Sequence, residues 1–405
     1  MQIDVSPTPS DLLELGDRHA LAIVDRHGRL SAVPLVDAGD GWRRATSGSG
    51  ASAALVRLLA ETPGHIRRGR FDVLSWTDTP LPGAERPITV DQTNESVIVD
   101  EQAVVKWSTH LEPGPHPAPG RLSVLTAAGF TEMPTPWGVV TWTPDSGAET
   151  LVATVTGFLP GAVDGWTWAV DLFVAAAAGG DLADATGVCA TLGKVVADLH
   201  IAMTATVTRS TPADAQRWRD TAFDTLAEAR ALAGPANAAL LSGHADQVAA
   251  TFDGLADLVD IPILEAHGDL HVGQVLRAGD RLVITDFDGN PVLPPAERVC
   301  PVPPAVDLAG ILQSLCHVAV VATKRRAADP ASVRTVEAAS RSALLDGYIG
   351  RLGQAGHADL HTAAAVPALR LQQVLREIVY AARHLPRWMY VPDAALPALI
   401  DELSS

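Results

Sequence analysis

Cysteine is scarce in this 405-residue chain: Cys189, Cys300 and Cys316 are the only three, and no two of them form a Cys-x-x-Cys pair. That excludes a disulfide framework and a zinc knuckle, and makes reduced thiols the expectation. Positive charge is also short, with 30 Lys and Arg against 47 Asp and Glu and a formal charge of −17, so the basic footprint of a nucleic-acid partner is missing. The sign is compatible with a cationic substrate. No uninterrupted apolar run reaches membrane-spanning length, and residues 1–5 lack the basic-then-apolar layout of a signal peptide. A cytoplasmic protein without a membrane partner is therefore expected. Two or three subdomains are expected at this length, and a monomer.

What is present is concentrated in one segment. His267-Gly-Asp-Leu-His271-Val-Gly-Gln274 is followed by Asp286-Phe-Asp288-Gly289. An aspartate ahead of an amide, then a short hairpin ending in a second carboxylate, is the layout that holds an acceptor hydroxyl and Mg-ATP together in kinases. Phosphoryl transfer asks little covalent work of a protein: one carboxylate orients the attacking hydroxyl while hard oxygen ligands hold Mg2+ on the phosphates. Asp269 suits the first task, Gln274 and Asp286 the second. Residues 275–285 read as a β-hairpin around the turn Ala278-Gly279-Asp280, which brings both ligands to neighbouring strand ends. Strand alternation puts Asp288 on the face of Asp286, where it either joins the metal site or caps the turn into Gly289-Asn290-Pro291; a supporting role is favoured.

Residues 1–88 read as a small α+β cap, with strands over 20–36, a helix near 52–61, a strand over 71–76 and a linker at 81–87. A nucleotide-binding unit is expected over 89–160. Its hairpin of 97–99 and 103–107 ends on Lys106, placed like the kinase lysine that touches the ATP phosphates. The loop 92–96 would lie over those phosphates without the glycines of protein kinases, leaving backbone amides and Ser96 to serve. The strand from Leu151 runs into Gly157, so Val155, Gly157 and Phe158 are the candidates for meeting adenine. Residues 161–405 read as mostly helical, over 170–178, 187–203, 213–232, 240–258, 306–323, 332–355 and 366–384, with a proline-rich loop at 291–304.

The chain resembles the aminoglycoside phosphotransferase-like kinases, and among them the actinobacterial maltokinases. The residues that carry the likeness are Val104-Val-Lys106-Trp, Gly157-Phe-Leu-Pro-Gly161 with Asp164-Gly-Trp166, Leu192-Gly193 with Leu199-His200, the His267–Gln274 and Asp286–Gly289 motifs, and Asp307-Leu-Ala. It implies an α+β, two-lobed protein-kinase-like fold with an N-terminal cap. The C-terminal stretch from Gln372 through Arg376-Glu377, Tyr380, Arg383, Trp388 and Asp393 departs from maltokinases and looks like the signature of actinobacterial glucosamine kinases. That likeness implies conversion of glucosamine and ATP to glucosamine 6-phosphate and ADP.

The residues make chemical sense of an amino sugar. Arg376, Tyr380 and Arg383 lie at helical i, i+4, i+7 spacing with Glu377 beside them; a protonated amine wants a carboxylate, hydroxyls want forked donors, and Trp388 could stack on a pyranose. Glu377 is the first candidate for the amine. Maltose or an aminoglycoside as acceptor, and a catalytically dead binding protein, are the rival readings, the last opposed by the intact set Lys106, Asp269, Gln274 and Asp286. One departure stands out: the segment after Lys106 offers no glutamate to pair with it, Glu112 and Glu132 flanking the expected place.

Overall fold

The computed structural model describes residues 9–26, 28–81, 83–88, 95–145, 147 and 149–404. The chain forms two compact units, one of Met1–Thr126, Met133–Gly161 and Leu293–Val299, the other of Ala127–Glu132, Ala162–Val292 and Cys300–Ser405.

The first unit opens with an antiparallel meander of β1 (Asp11–Gly16), β2 (His19–Arg26), β3 (Arg29–Asp37) and β4 (Trp42–Arg44). Both faces of β2 are covered: Leu21 and Ile23 enter the main core of the unit, while Ala20, Ala22 and Val24 pack with Val33 and Leu35 on the other side. Helix α1 (Ala51–Glu61) follows. Its N-cap, Gly50, has no capping side chain, so the free N–H groups of its first turn are met from elsewhere. The Glu85 carboxylate accepts from Gly48, Gly50 and Ala53.

Glu85 begins β7 (Glu85–Pro87), an edge of a second, seven-stranded antiparallel sheet with the order β5-β6-β10-β11-β9-β8-β7. The other strands are β5 (Gly64–Arg68), β6 (Phe71–Ser75), β8 (Glu95–Val99), β9 (Ala103–Trp107), β10 (Pro136–Trp142) and β11 (Thr150–Gly157), with helix α2 (Pro117–Ala127) between β9 and β10. The expected boundary near residue 88 falls inside this unit, because β6, with β5 on its far side, pairs onto β10 instead of closing a separate cap. Buried Trp107 donates to Ser52 of α1, and one apolar cluster runs from Leu13 through Leu55 to Val155. The short helix α8 (Pro295–Arg298) belongs to this unit and lies in the proline-rich segment read as a loop.

The second unit is mostly helical: α3 (Gly165–Ala177), α4 (Leu182–Ala202), α5 (Pro212–Leu232), α6 (Pro235–Gly243), α7 (Ala245–Asp253), α9 (Ala305–Arg326), α10 (Pro330–Ala355), α11 (Val366–His384) and α12 (Tyr390–Leu403). Two small ladders join them, β12 (Thr208–Arg209) with β13 (Pro262–Ile263), and β14 (Val275–Ala278) with β15 (Arg281–Ile284). The single helix expected over 240–258 is instead α6, α7 and a 3-10 turn, broken at His244, whose backbone leaves the helical range. Two segments, Leu182–Thr206 and Ala305–Arg326, are long and apolar enough to cross a membrane by length and composition. The second also buries Asp307, Gln313, Ser314 and His317, the pattern of a core helix.

Helices α4 and α10 meet backbone to backbone. A Cβ on Gly193 would stand 2.0 Å from the Leu344 carbonyl, and one on Gly347 2.3 Å from that of Ala190. Gly187, on the same α4, has nothing within 4 Å. Gly193→Ala is therefore expected to lower the unfolding free energy read from urea denaturation by an overpacking cost of about 1–3 kcal/mol, whereas Gly187→Ala should raise it by about 0.5–1 kcal/mol through helix propensity. Equal shifts in one direction would remove the close helix contact from the argument.

Candidate active site

The His267–Gln274 loop is clasped by two helices that approach it through glycine. A Cβ on Gly165, the first residue of α3, would lie 1.7 Å from the Val272 carbonyl, and one on Gly310 of α9 2.3 Å from that of Leu270. Asp307, fully buried near the start of α9, fixes the front of the loop. Its carboxylate accepts from the His267 and Gly268 N–H groups, each at 2.8 Å, and lies 3.2 Å from His200 Nε2. Burial alone would raise Asp307; the His200 hydrogen bond and charge, with His267 and the Gly268 N–H, hold it below the usual carboxylate range. His200 in turn meets the Tyr348 hydroxyl at 2.9 Å.

The loop then presents its side chains in order. His267 Nε2 donates to the Thr285 carbonyl at 2.9 Å, tying the loop to the strand that leads into Asp286. Burial pushes the Asp269 carboxyl up to about 7, the Arg376 guanidinium opposing that rise and Asp286 and Asp307 adding to it. The His271 ring accepts the Gly273 N–H on Nδ1 at 3.0 Å, which puts its proton on Nε2. Burial pushes His271 down to about 4, so this ring is neutral.

Gln274 and Asp286 come together, the amide nitrogen 3.2 Å from Asp286 Oδ2. Asp286 is exposed and has φ 65°, a left-handed conformation rare outside glycine and common where a site holds strain. The Thr285 N–H bonded to the Gln274 carbonyl at 2.8 Å keeps it there. Because β15 ends at Ile284, strand alternation does not apply to Asp288, and its expected common face with Asp286 is not a consequence of pleating. Among the described residues no three His, Cys, Asp or Glu form a metal cage. An amide oxygen with one or two carboxylates nevertheless fits Mg2+, which draws the rest of its shell from phosphates and water.

The C-terminal candidates divide. Arg376 and Glu377 of α11 lie within electrostatic reach of Asp269. Burial pushes Glu377 up to about 8, with the Gln373 hydrogen bond and Arg376 opposing and Asp269 adding to the rise. Glu377 Oε2 and Arg376 Nε are buried without a hydrogen bond. Trp388, on the turn after α11, packs edge-on against Trp166 with centroids 5.1 Å apart, and Trp166 stacks on His271 at 6.1 Å. Tyr380 and Arg383 do not join this group: in the last turns of α11 Ile378, Val379 and Ala381 keep the core, while Tyr380 is 41% exposed beside His384 and Arg383 pairs with Glu228 on the outer face. Trp166 and His271 stand beside Trp388 although neither is among the residues expected at the sugar; Asp164-Gly-Trp166 is visible in the sequence only as a motif.

In the first unit, Lys106 sits directly across from Ser96 on one side and Thr154 on the other, so all three share a sheet face. Ser96 is thus within β8 and largely buried, not part of a loop; 92–94 lie outside the described residues. Val155 is buried in the ladder, and the N–H groups of Gly157 and Phe158 donate to the Thr135 and Gln102 carbonyls at 2.7 Å. Those two donors are already engaged. Helix α2 carries no acidic residue, and Glu112 pairs with Arg298 at 2.8 Å.

A recessed carboxylate on a clasped loop, followed by an amide and carboxylate at a hairpin's end, is the arrangement of an ATP-dependent phosphotransferase of the kinase kind. The comparisons agree on a narrower group. The chain is 52% identical over 400 residues to a glucosamine kinase of Mycolicibacterium smegmatis, covering 98% of this chain and 99% of the relative. It is 41% identical to a glucosamine kinase of Streptacidiphilus jiangxiensis over 96% of this chain and 91% of that one. A solved glucosamine kinase in complex with glucosamine, ADP and inorganic phosphate is similar at TM-score 0.85 and 39% identity, covering 96% of this chain and 93% of that one. No family model matches. The chain belongs to the glucosamine kinases.

Asp269 carries a testable stability signature. A carboxyl raised from 3.8 to about 7 favours the folded state while neutral, so stability is lost as pH climbs from the unfolded value through the folded one. Asp269→Asn, which cannot ionise, should melt above the parent at about pH 8 and level with it near pH 4. Identical melting of the two at the higher pH would mean that Asp269 is not a desolvated charge.

Proposed function

We propose that this chain transfers the γ-phosphoryl group of ATP to the 6-hydroxyl of glucosamine, giving glucosamine 6-phosphate and ADP. The observation that carries the reading is Glu377 Oε2, a buried carboxylate oxygen left without a hydrogen bond beside Arg376, whose charge also acts on the raised carboxyl of Asp269. The relative with glucosamine and ADP bound supports it.

In this reading Asp269 orients the sugar hydroxyl and accepts its proton as the phosphoryl group arrives. Glu377 meets the sugar ammonium, Arg376 the neighbouring hydroxyls, and Trp388 with Trp166 covers the pyranose. Gln274 and Asp286 would hold Mg2+ with Asp288 in support, and the chemistry such an ion would supply is neutralisation of charge on the transferred group. Lys106 and Ser96 serve the phosphates. Adenine lies along Val155, Gly157 and Phe158, contacted by carbonyls because two of the N–H groups are engaged. A monomer working in the cytoplasm goes with this chemistry.

The test is an ATP-consumption screen with glucosamine, glucose, N-acetylglucosamine, maltose and an aminoglycoside. A desolvated charge contact should favour glucosamine over glucose and N-acetylglucosamine by about thirty-fold or more in kcat/KM. Preference for maltose would overturn the assignment. Asp269→Asn should lose about a hundred-fold or more in kcat with nucleotide binding retained, as expected for a general base, and near-normal turnover would remove Asp269 from the mechanism.

A further inference from the structure

Behind Glu377 lies a chain of buried side chains that direct contact with a sugar does not explain. Arg370 of α11, 5% exposed, donates from Nε to Gln313 Oε1 at 3.3 Å and from a terminal nitrogen to Glu402 at 2.7 Å. A guanidinium can only donate, so Gln313 must turn its carbonyl toward Arg370. Its amide nitrogen then faces His317 Nε2, 3.3 Å away. An amide N–H also only donates, so that ring nitrogen accepts and the imidazole proton sits on Nδ1. Nδ1 is 3.2 Å from Glu377 Oε2.

The other oxygen is treated alike. Arg376 donates to Gln373 Oε1, which fixes that amide and sends its nitrogen to Glu377 Oε1 at 3.1 Å. Two relays, each started by an arginine, therefore converge on one carboxylate with donors only. His317 Nδ1 reaches Oε2 in distance but without hydrogen-bond geometry, which leaves that oxygen a lone pair to offer a ligand.

We propose that His317, locked by Gln313 and Arg370, is a positioning residue that keeps Glu377 an acceptor and so makes the pocket select an ammonium over a hydroxyl at the sugar's amine position. The proposal rests on the reading of Glu377 as the amine contact. A carboxylic proton on Glu377 would find no acceptor in either relay, whereas an ammonium brings the donor that Oε2 lacks. Burial pushes His317 down to about 3, in keeping with a neutral ring.

The measurement is the ratio of kcat/KM for glucosamine over glucose, with KM for ATP as control. His317→Leu should cut that ratio about tenfold or more, the weight of the sugar ammonium's hydrogen bond to a Glu377 carboxylate that is no longer held in place, while His317→Asn, whose amide N–H stands near the place of Nδ1, keeps most of it. Gln313→Met, near in shape but unable to lock the ring, should cut the ratio about threefold or more. A role in folding alone would depress both sugars together and leave the ratio intact; that result in His317→Leu overturns the proposal. Should His317→Leu not fold, an unchanged ratio in Gln313→Met overturns it instead. Glu377→Gln separates the two readings: if it keeps the parent's ratio, the amine assignment of Glu377 fails, and if it collapses the ratio while the His317 and Gln313 variants do not, only the relay fails.

Discussion

Both oxygens of Asp307 are engaged beneath the loop that carries Asp269, one on the Gly268 N–H, the other shared by the His267 N–H and His200. A fully buried carboxylate is costly unless its lone pairs are filled, and here the loop backbone fills them. The same bonds give the loop its shape: Gly268 takes φ 80°, and His267 is left to grip the Thr285 carbonyl. Asp269, the Gln274 and Asp286 pair, and the stacking of His271 on Trp166 all inherit their positions from that anchor. Removing it would leave the buried His267 N–H, the half-buried Gly268 N–H and the buried His200 without their acceptor.

Exclusion of water does the rest. Burial raises Asp269 and Glu377 and lowers His271 and His317, so one environment pushes acids and bases toward their neutral forms. For Asp269 a carboxyl lifted toward neutrality suits proton transfer at physiological pH, while at Glu377 the Gln373 hydrogen bond and the Arg376 charge work against the rise and favour the carboxylate. Against that trend Arg376 opposes the rise at both carboxyls, and it is the shared cation of the group.

The kinase chemistry was legible because it resides in contiguous motifs. His267–Gln274 and Asp286–Gly289 name their own loop and hairpin, and the turn at Gly279 is a local signal that the fold respects, with φ 63°. The relatives bear out the family that the C-terminal stretch suggested. What sequence could not give was environment. Helical spacing puts Arg376, Tyr380 and Arg383 on one face, but the spacing does not say how far along the helix that face stays covered, and Tyr380 and Arg383 are exposed where Arg376 is not. In the sequence His317 and Gln313 are no more than two polar residues within the helix expected over 306–323; their contacts come from α11, where Arg370 lies more than fifty residues on. The boundary near residue 88 misled for a similar reason. Prolines and a glycine mark a connection, yet strand pairing runs across it.

That crossing has a consequence for how such a protein can be remodelled or inherited. Because β6 pairs along β10 from Phe71 with Trp142 to Ser75 with Gly138, and Leu59 of α1 packs into the gap over Gly138, the N-terminal region is not a detachable accessory. A chain begun after it would carry β10, mostly apolar and buried, as a raw border with unmatched N–H and C=O groups, an invitation to aggregate. Gene fusions and shuffled chimaeras must therefore move these first residues together with the strands that bear Lys106, as one heritable block.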